Sequence, residues 1–129
     1  MAIEFIVSTV IKAFPEEIYE AWLSSDRHAK MTGGSANITA ELGAEFEAWD
    51  GYIQGRNLAL EPHKRIVQSW RTADFSDDEQ DSQIEVLFEK KGDGTEVIIR
   101  HTNLPPHGRQ YEQGWIENYF EPMKEYFER

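Results

Sequence analysis

The chain has 129 residues and no cysteine, a length suited to one hydrophobic core and a composition without disulfides, thiol catalysis, iron–sulfur clusters or Cys-based zinc sites. Its 24 acidic against 13 basic residues give a net charge of −11, which repels phosphate backbones and anionic lipid surfaces and argues against nucleic-acid and membrane partners. No apolar run approaches the ~20 residues of a membrane span, and Met1 to Val10 lacks a basic n-region, so a cytoplasmic protein without a leader is expected.

Phe5, Val7, Thr9 and Ile11 alternate with Glu4, Ser8 and Lys12, the period of a half-buried strand spanning Ile3 to Ala13. Ile6 and Val10, on the opposite parity, suggest cover on both faces at one end. Pro15, followed by Glu16 and Glu17, opens a helix in the manner its free N–H groups and dipole favour. Ile18, Ala21 and Trp22 give that helix an apolar face. Ser24, Ser25 and Asp26 offer an N-cap for a second short helix, stopped by Gly33-Gly34.

From Ser35 to Thr102 the pattern is strands and turns. Ala36–Ala40 and Ala44–Trp49 flank a turn at Leu42-Gly43. Asp50-Gly51 predicts a type I′ hairpin, whose two central residues need positive φ. Tyr52–Leu60, Arg65–Thr72, Gln83–Glu89 and Thr95–Thr102 follow. Pro105-Pro106 closes the sheet. His107 to Glu128 then reads as one long helix, with Tyr111, Trp115, Ile116, Tyr119, Phe120, Met123 and Phe127 on a broad stripe, and Pro122 is expected to kink it or to free a carbonyl near Asn118. Strands bracketed by helices signal an α+β domain over residues 1–129, with a curved antiparallel sheet of six to seven strands against the C-terminal helix. A cavity is expected between them.

Several segments bear a family resemblance in the right order. Phe46 to Gly55, Leu60 to Arg71, Gly94 to Val97, His101 to Pro105 and Gly114 to Phe120 resemble the activator of heat shock protein 90 ATPase homologue-like family of the SRPBCC (START-like, pollen-allergen-like) superfamily. The resemblance implies a helix-grip fold. It also implies an apolar small molecule in the grip cavity, or contact with a heat shock protein 90 chaperone as the alternative. Stimulation of that chaperone's ATPase is not expected, because the family's founding co-chaperone uses a further domain with no counterpart here. A monomer or homodimer is expected, with no cofactor.

The candidate cavity residues are Trp70, His101, Trp115, Tyr119, Phe120 and Met123, set against the plainer reading that aromatics at helical spacing are core. His101, on an apolar strand face, has the ordinary pKa of an acid–base catalyst, but no partner carboxylate is legible and no catalytic residue is assigned. His28, His63, His101 and His107 show neither an i, i+4 pair nor HExxH, so no metal site is expected. The acidic loop Asp74 to Asp81 departs from the Ca²⁺-loop order and reads as a solvated loop or lid tipped by Phe75. Arg56 and Arg71, on adjacent strands, are expected to pair with surface acids.

Overall fold

A computed structural model describes residues 2–128; Met1 and Arg129, the two ends of the expected domain, lie outside them. Seven strands form a single sheet: β1 (Ile3–Ile11), β2 (Ala36–Asn37), β3 (Glu45–Ala48), β4 (Ile53–Glu61), β5 (Arg65–Thr72), β6 (Ser82–Lys91) and β7 (Gly94–Leu104). Their order is β1-β7-β6-β5-β4-β3-β2, and each neighbouring pair is antiparallel. Every connection within the β2–β7 run therefore joins strands that are adjacent in space. Only the connection from β1 to β2 spans the sheet, from one edge to the other. Two helices, α1 (Pro15–Trp22) and α2 (Ser25–Thr32), follow β1.

Alternation places Phe5, Val7 and Ile11 of β1 in the core. Ile6 and Val10 are not covered as expected: they are 64 % and 47 % exposed on the outer face. The reason is topological, since β1 is an edge strand and all the helices that follow pack on the opposite face or beyond the strand ends. Ser24 caps α2 by accepting the Arg27 N–H, and Gly33 ends it in the left-handed region. The Asp50-Gly51 turn has positive φ at both residues, and the Tyr52 N–H closes it on the Trp49 carbonyl. The strand expected over Ala36–Ala40 shrinks to two paired residues. Beyond them the amide of Asn57, rather than a ladder, holds the Thr39 and Glu41 carbonyls.

The long C-terminal helix forms as expected, but its course is not uniform. A 3₁₀ turn (Pro106–Arg109) precedes α3 (Gln110–Trp115), a π-helical turn (Ile116–Phe120) and α4 (Glu121–Phe127). Proline at 122 has no N–H for the Asn118 carbonyl, and its ring crowds that carbonyl in an α-helix. The ladder widens instead, and the Glu121 N–H reaches the Ile116 carbonyl, five residues back. Such π turns admit one extra residue per turn. Tyr119 and Phe120, within that turn, are both buried. No helix among the described residues is long and apolar enough to cross a membrane.

Candidate functional site

Between the C-terminal helix and the β3–β4 end of the sheet lies a half-open cleft of about 490 Å³. The β3–β4 hairpin contributes Trp49, Tyr52 and Ile53, and β5 contributes Trp70. Gln110, Tyr111, Gly114, Trp115, Asn118 and Tyr119 come from α3 and the π turn. Tyr111, Gly114, Trp115 and Asn118 stand at i, i+3, i+4 and i+7, one face of the helix, and Tyr119 joins them from within the π turn.

Of the residues singled out by sequence, Trp70, Trp115 and Tyr119 line this cleft; His101 packs behind Trp70 and Trp115, and Phe120 and Met123 are buried outside the lining. His101 is wholly buried. The Trp115 indole N–H, which can only donate, reaches its Nδ1 at 3.0 Å. The Ser82 hydroxyl donates to the Trp70 carbonyl at 2.7 Å. His101 Nε2 must therefore carry the ring's proton and donate to Ser82 Oγ at 2.8 Å. Both nitrogens are engaged, which leaves neither a lone pair nor a proton directed at the cleft. Burial pushes the His101 pKa down to about 3, so the ring is a neutral strut and lacks the geometry of a general base.

A second buried histidine supports the other side. His28 Nδ1 donates to the Trp22 carbonyl at 2.7 Å, an acceptor freed where α1 ends. Its Nε2 then accepts from the Tyr119 hydroxyl at 3.1 Å. Burial lowers the His28 pKa and raises that of Tyr119. Between the two histidines the rings interlock. Trp70 and Trp115 have centroids 5.6 Å apart, and Trp115 and Tyr119 are 4.8 Å apart. Tyr111 stands edge-on to Trp70 at 4.9 Å, with its hydroxyl 2.6 Å from that of Thr72. At the outer lip, the Tyr52 hydroxyl donates to Asp74 at 2.6 Å.

Sequence reading missed Trp49 and Tyr52, which flank the hairpin turn. Trp49 adopts a φ of 56°, a left-handed conformation rare for a bulky residue. It is held there from two sides. Its N–H donates to the Ser35 carbonyl at 2.8 Å, and the Ser35 hydroxyl bridges to Asp50. Its ring also lies on Gly34, where a Cβ would come within 2.4 Å of it. Gly34→Ala is expected to lift the Trp49 ring from its seat and cost about 1–3 kcal/mol. Thermal denaturation with near-UV circular dichroism checks this; an unchanged aromatic spectrum would contradict the seating.

The acidic loop is not a lid tipped by Phe75. Phe75 is buried, 6.3 Å from Trp70 and 5.5 Å from His107 between ring centroids. The Arg71 guanidinium lies 5.3 Å over it and donates to the Ser76 and Glu79 carbonyls and to Asp81. Arg56 likewise serves the surface, through the Gly43 carbonyl and Glu45. No group of three metal-ligating side chains exists among the described residues.

With this geometry in view, comparison with known proteins assigns the family. Residues 12–128 match the model of the Activator of Hsp90 ATPase homolog 1-like protein family. The chain is 30 % identical over 114 residues to the Activator of 90 kDa heat shock protein ATPase homolog 1 of Homo sapiens, covering 88 % of this chain and 33 % of that protein. It thus spans about a third of the length of the curated relatives it matches. The fold is shared with an HSP90 activator from Plasmodium falciparum (TM-score 0.84, 20 % identity, 95 % of this chain and 94 % of that one). It is also shared with the Aha1 dimer from Colwellia psychrerythraea (TM-score 0.75, 18 % identity, 88 % of each chain). The helix-grip architecture and the family match agree: the chain belongs to the Activator of Hsp90 ATPase homolog 1-like family.

Proposed function

We propose that this protein is a binding module that takes a small molecule with an apolar body into the cleft between sheet and C-terminal helix. The observation that carries the reading is the wall itself. Six of its ten residues are aromatic, and several are held by hydrogen bonds that fix their orientation without spending a polar group on the interior. A volume of about 490 Å³ suits a small-molecule site, and the amides of Gln110 and Asn118 supply the few orienting polar groups such sites use. Rigid rings bind at low conformational cost, because little side-chain entropy remains to be lost. The chain's lack of cysteine suits action in the reducing cytoplasm.

Native mass spectrometry of the purified protein, with a thermal-shift and Trp-fluorescence screen of lipophilic compounds, tests the reading. At least one bound species or saturable binder is expected; none across both experiments would end it. A second reading is favoured by the names of the relatives: contact with a heat shock protein 90 chaperone, the acidic surface facing a basic patch. A salt-sensitive pull-down of the cognate chaperone by this chain would support it, and salt-independent absence of association would count against it. Pairing of two copies, as in the Colwellia psychrerythraea neighbour, is checked by sedimentation of the same preparation.

A further inference from the structure

Apolar walls select for size and shape, and charge selects for sign. None of the ten residues lining the cleft is Lys, Arg or His. A ligand carboxylate, sulfate or phosphate would be desolvated there without a cationic partner. The charges beside the cleft are negative. Asp74 accepts the hydroxyl of Tyr52 on the wall, and Asp50 follows Trp49 directly. Asp74 also opens the loop to Asp81, which is fixed beside the cleft by Phe75 packing against Trp70 and Tyr111. The nearby Arg71 is already engaged with Asp81, and His107 Nε2 is hydrogen-bonded to Glu79. Asp74 and Glu79 act on the wall itself: burial raises the Tyr111 pKa, and their charges add to the rise.

The rings contribute in the same sense. The face of a Trp or Tyr ring is its negative pole and attracts cations, more strongly when water is excluded. A tyrosine hydroxyl that donates to a carboxylate, as Tyr52 does to Asp74, leaves its ring richer in electrons. We infer that the ligand of this cleft is an organic cation, an aromatic or alkyl body bearing a quaternary or protonated amine, with its charge among the Trp49, Tyr52 and Tyr111 rings beside Asp74. The inference rests on the reading of the cleft as a binding site and narrows that reading from apolar to cationic.

Three naphthalene probes of closely similar shape separate the two statements: trimethyl(2-naphthyl)ammonium, its neutral isostere 2-tert-butylnaphthalene, and 2-naphthoate. Their dissociation constants are measured at neutral pH by Trp-fluorescence titration. The ammonium is expected to bind at least about fivefold tighter than the tert-butyl compound, with naphthoate weakest. Asp74→Asn, an exposed change that keeps an acceptor for Tyr52, is expected to cut the ammonium-to-neutral affinity ratio by about half or more, and added salt to narrow it. A tert-butyl compound bound as tightly as the ammonium, or a ratio untouched by both salt and Asp74→Asn, overturns the inference and leaves the cleft as a binding site. No binding by any of the three overturns the inference, while the reading of the cleft as a binding site stands or falls with the wider screen.

Discussion

Trp115→Ala is expected to lower the free energy of unfolding by about 3–5 kcal/mol. Trp115 is 3 % exposed and stands at the crossing of the aromatic cluster, against Trp70, Tyr119 and Trp22. Truncation opens a cavity that the sheet cannot collapse to fill. It also removes the donor to His101 Nδ1, and an unsatisfied buried acceptor carries its own penalty. Trp115→Phe weighs the two contributions differently, because it keeps an aromatic ring in the cluster, leaves a smaller void and removes the N–H. Its expected cost is about 1–3 kcal/mol. Urea denaturation of the three proteins measures both; a loss below about 1 kcal/mol for the alanine variant would mean that this ring is not the keystone described.

Stability is expected to fall as the pH falls from about 6.5, well before most carboxylates titrate. The folded protein keeps His101 neutral down to about pH 3, whereas an unperturbed histidine takes its proton near 6.5. Unfolding between those values is therefore coupled to proton uptake, and each unit of pH within the window removes up to about 1.4 kcal/mol. At pH 5 His101 alone is expected to account for about 2 kcal/mol. His28, whose pKa burial also lowers, acts in the same direction. The carboxyls of Asp78 and Glu79, held low by hydrogen bonds from the Ser76 hydroxyl and backbone N–H respectively, contribute stability that is present above their ordinary values and lost only at lower pH. Urea midpoints at pH 7 and pH 5, with imidazole shifts followed by NMR, check the assignment. A His101 resonance titrating near 6.5 in the folded protein, with equal midpoints at the two pH values, would contradict it.

Much of the fold was legible because its signals are local. Alternation in β1, the Asp50-Gly51 turn, the Ser24 cap and the Gly33 stop each depend on a few neighbouring residues, and each forms as its chemistry dictates. The failures share a different cause. Strand parity places His101 inward, yet parity cannot distinguish a residue facing the cleft from one sealed behind it; that depends on Trp115 and Ser82, which arrive from other elements. Trp49 and Tyr52 reach the cleft because the sheet curves the β3–β4 hairpin toward the helix, and no period in the sequence encodes that curvature. Phe75 is drawn inward by Trp70 and Arg71, although its flanking acids mark the loop as solvated. Pro122 signalled a broken ladder without saying whether the backbone would kink or widen.

The central claim is that Trp49, Trp70 and Trp115 border a cleft that admits a ligand, whereas Trp22 stays behind the wall, its indole donating to Gln68. Titrating the ¹⁵N-labelled protein with trimethyl(2-naphthyl)ammonium and following its four indole N–H resonances tests this most directly. Saturable shifts at Trp49, Trp70 and Trp115, with Trp22 moving least, are the predicted result. Shifts confined to residues outside the cleft, or none at any indole, would contradict it.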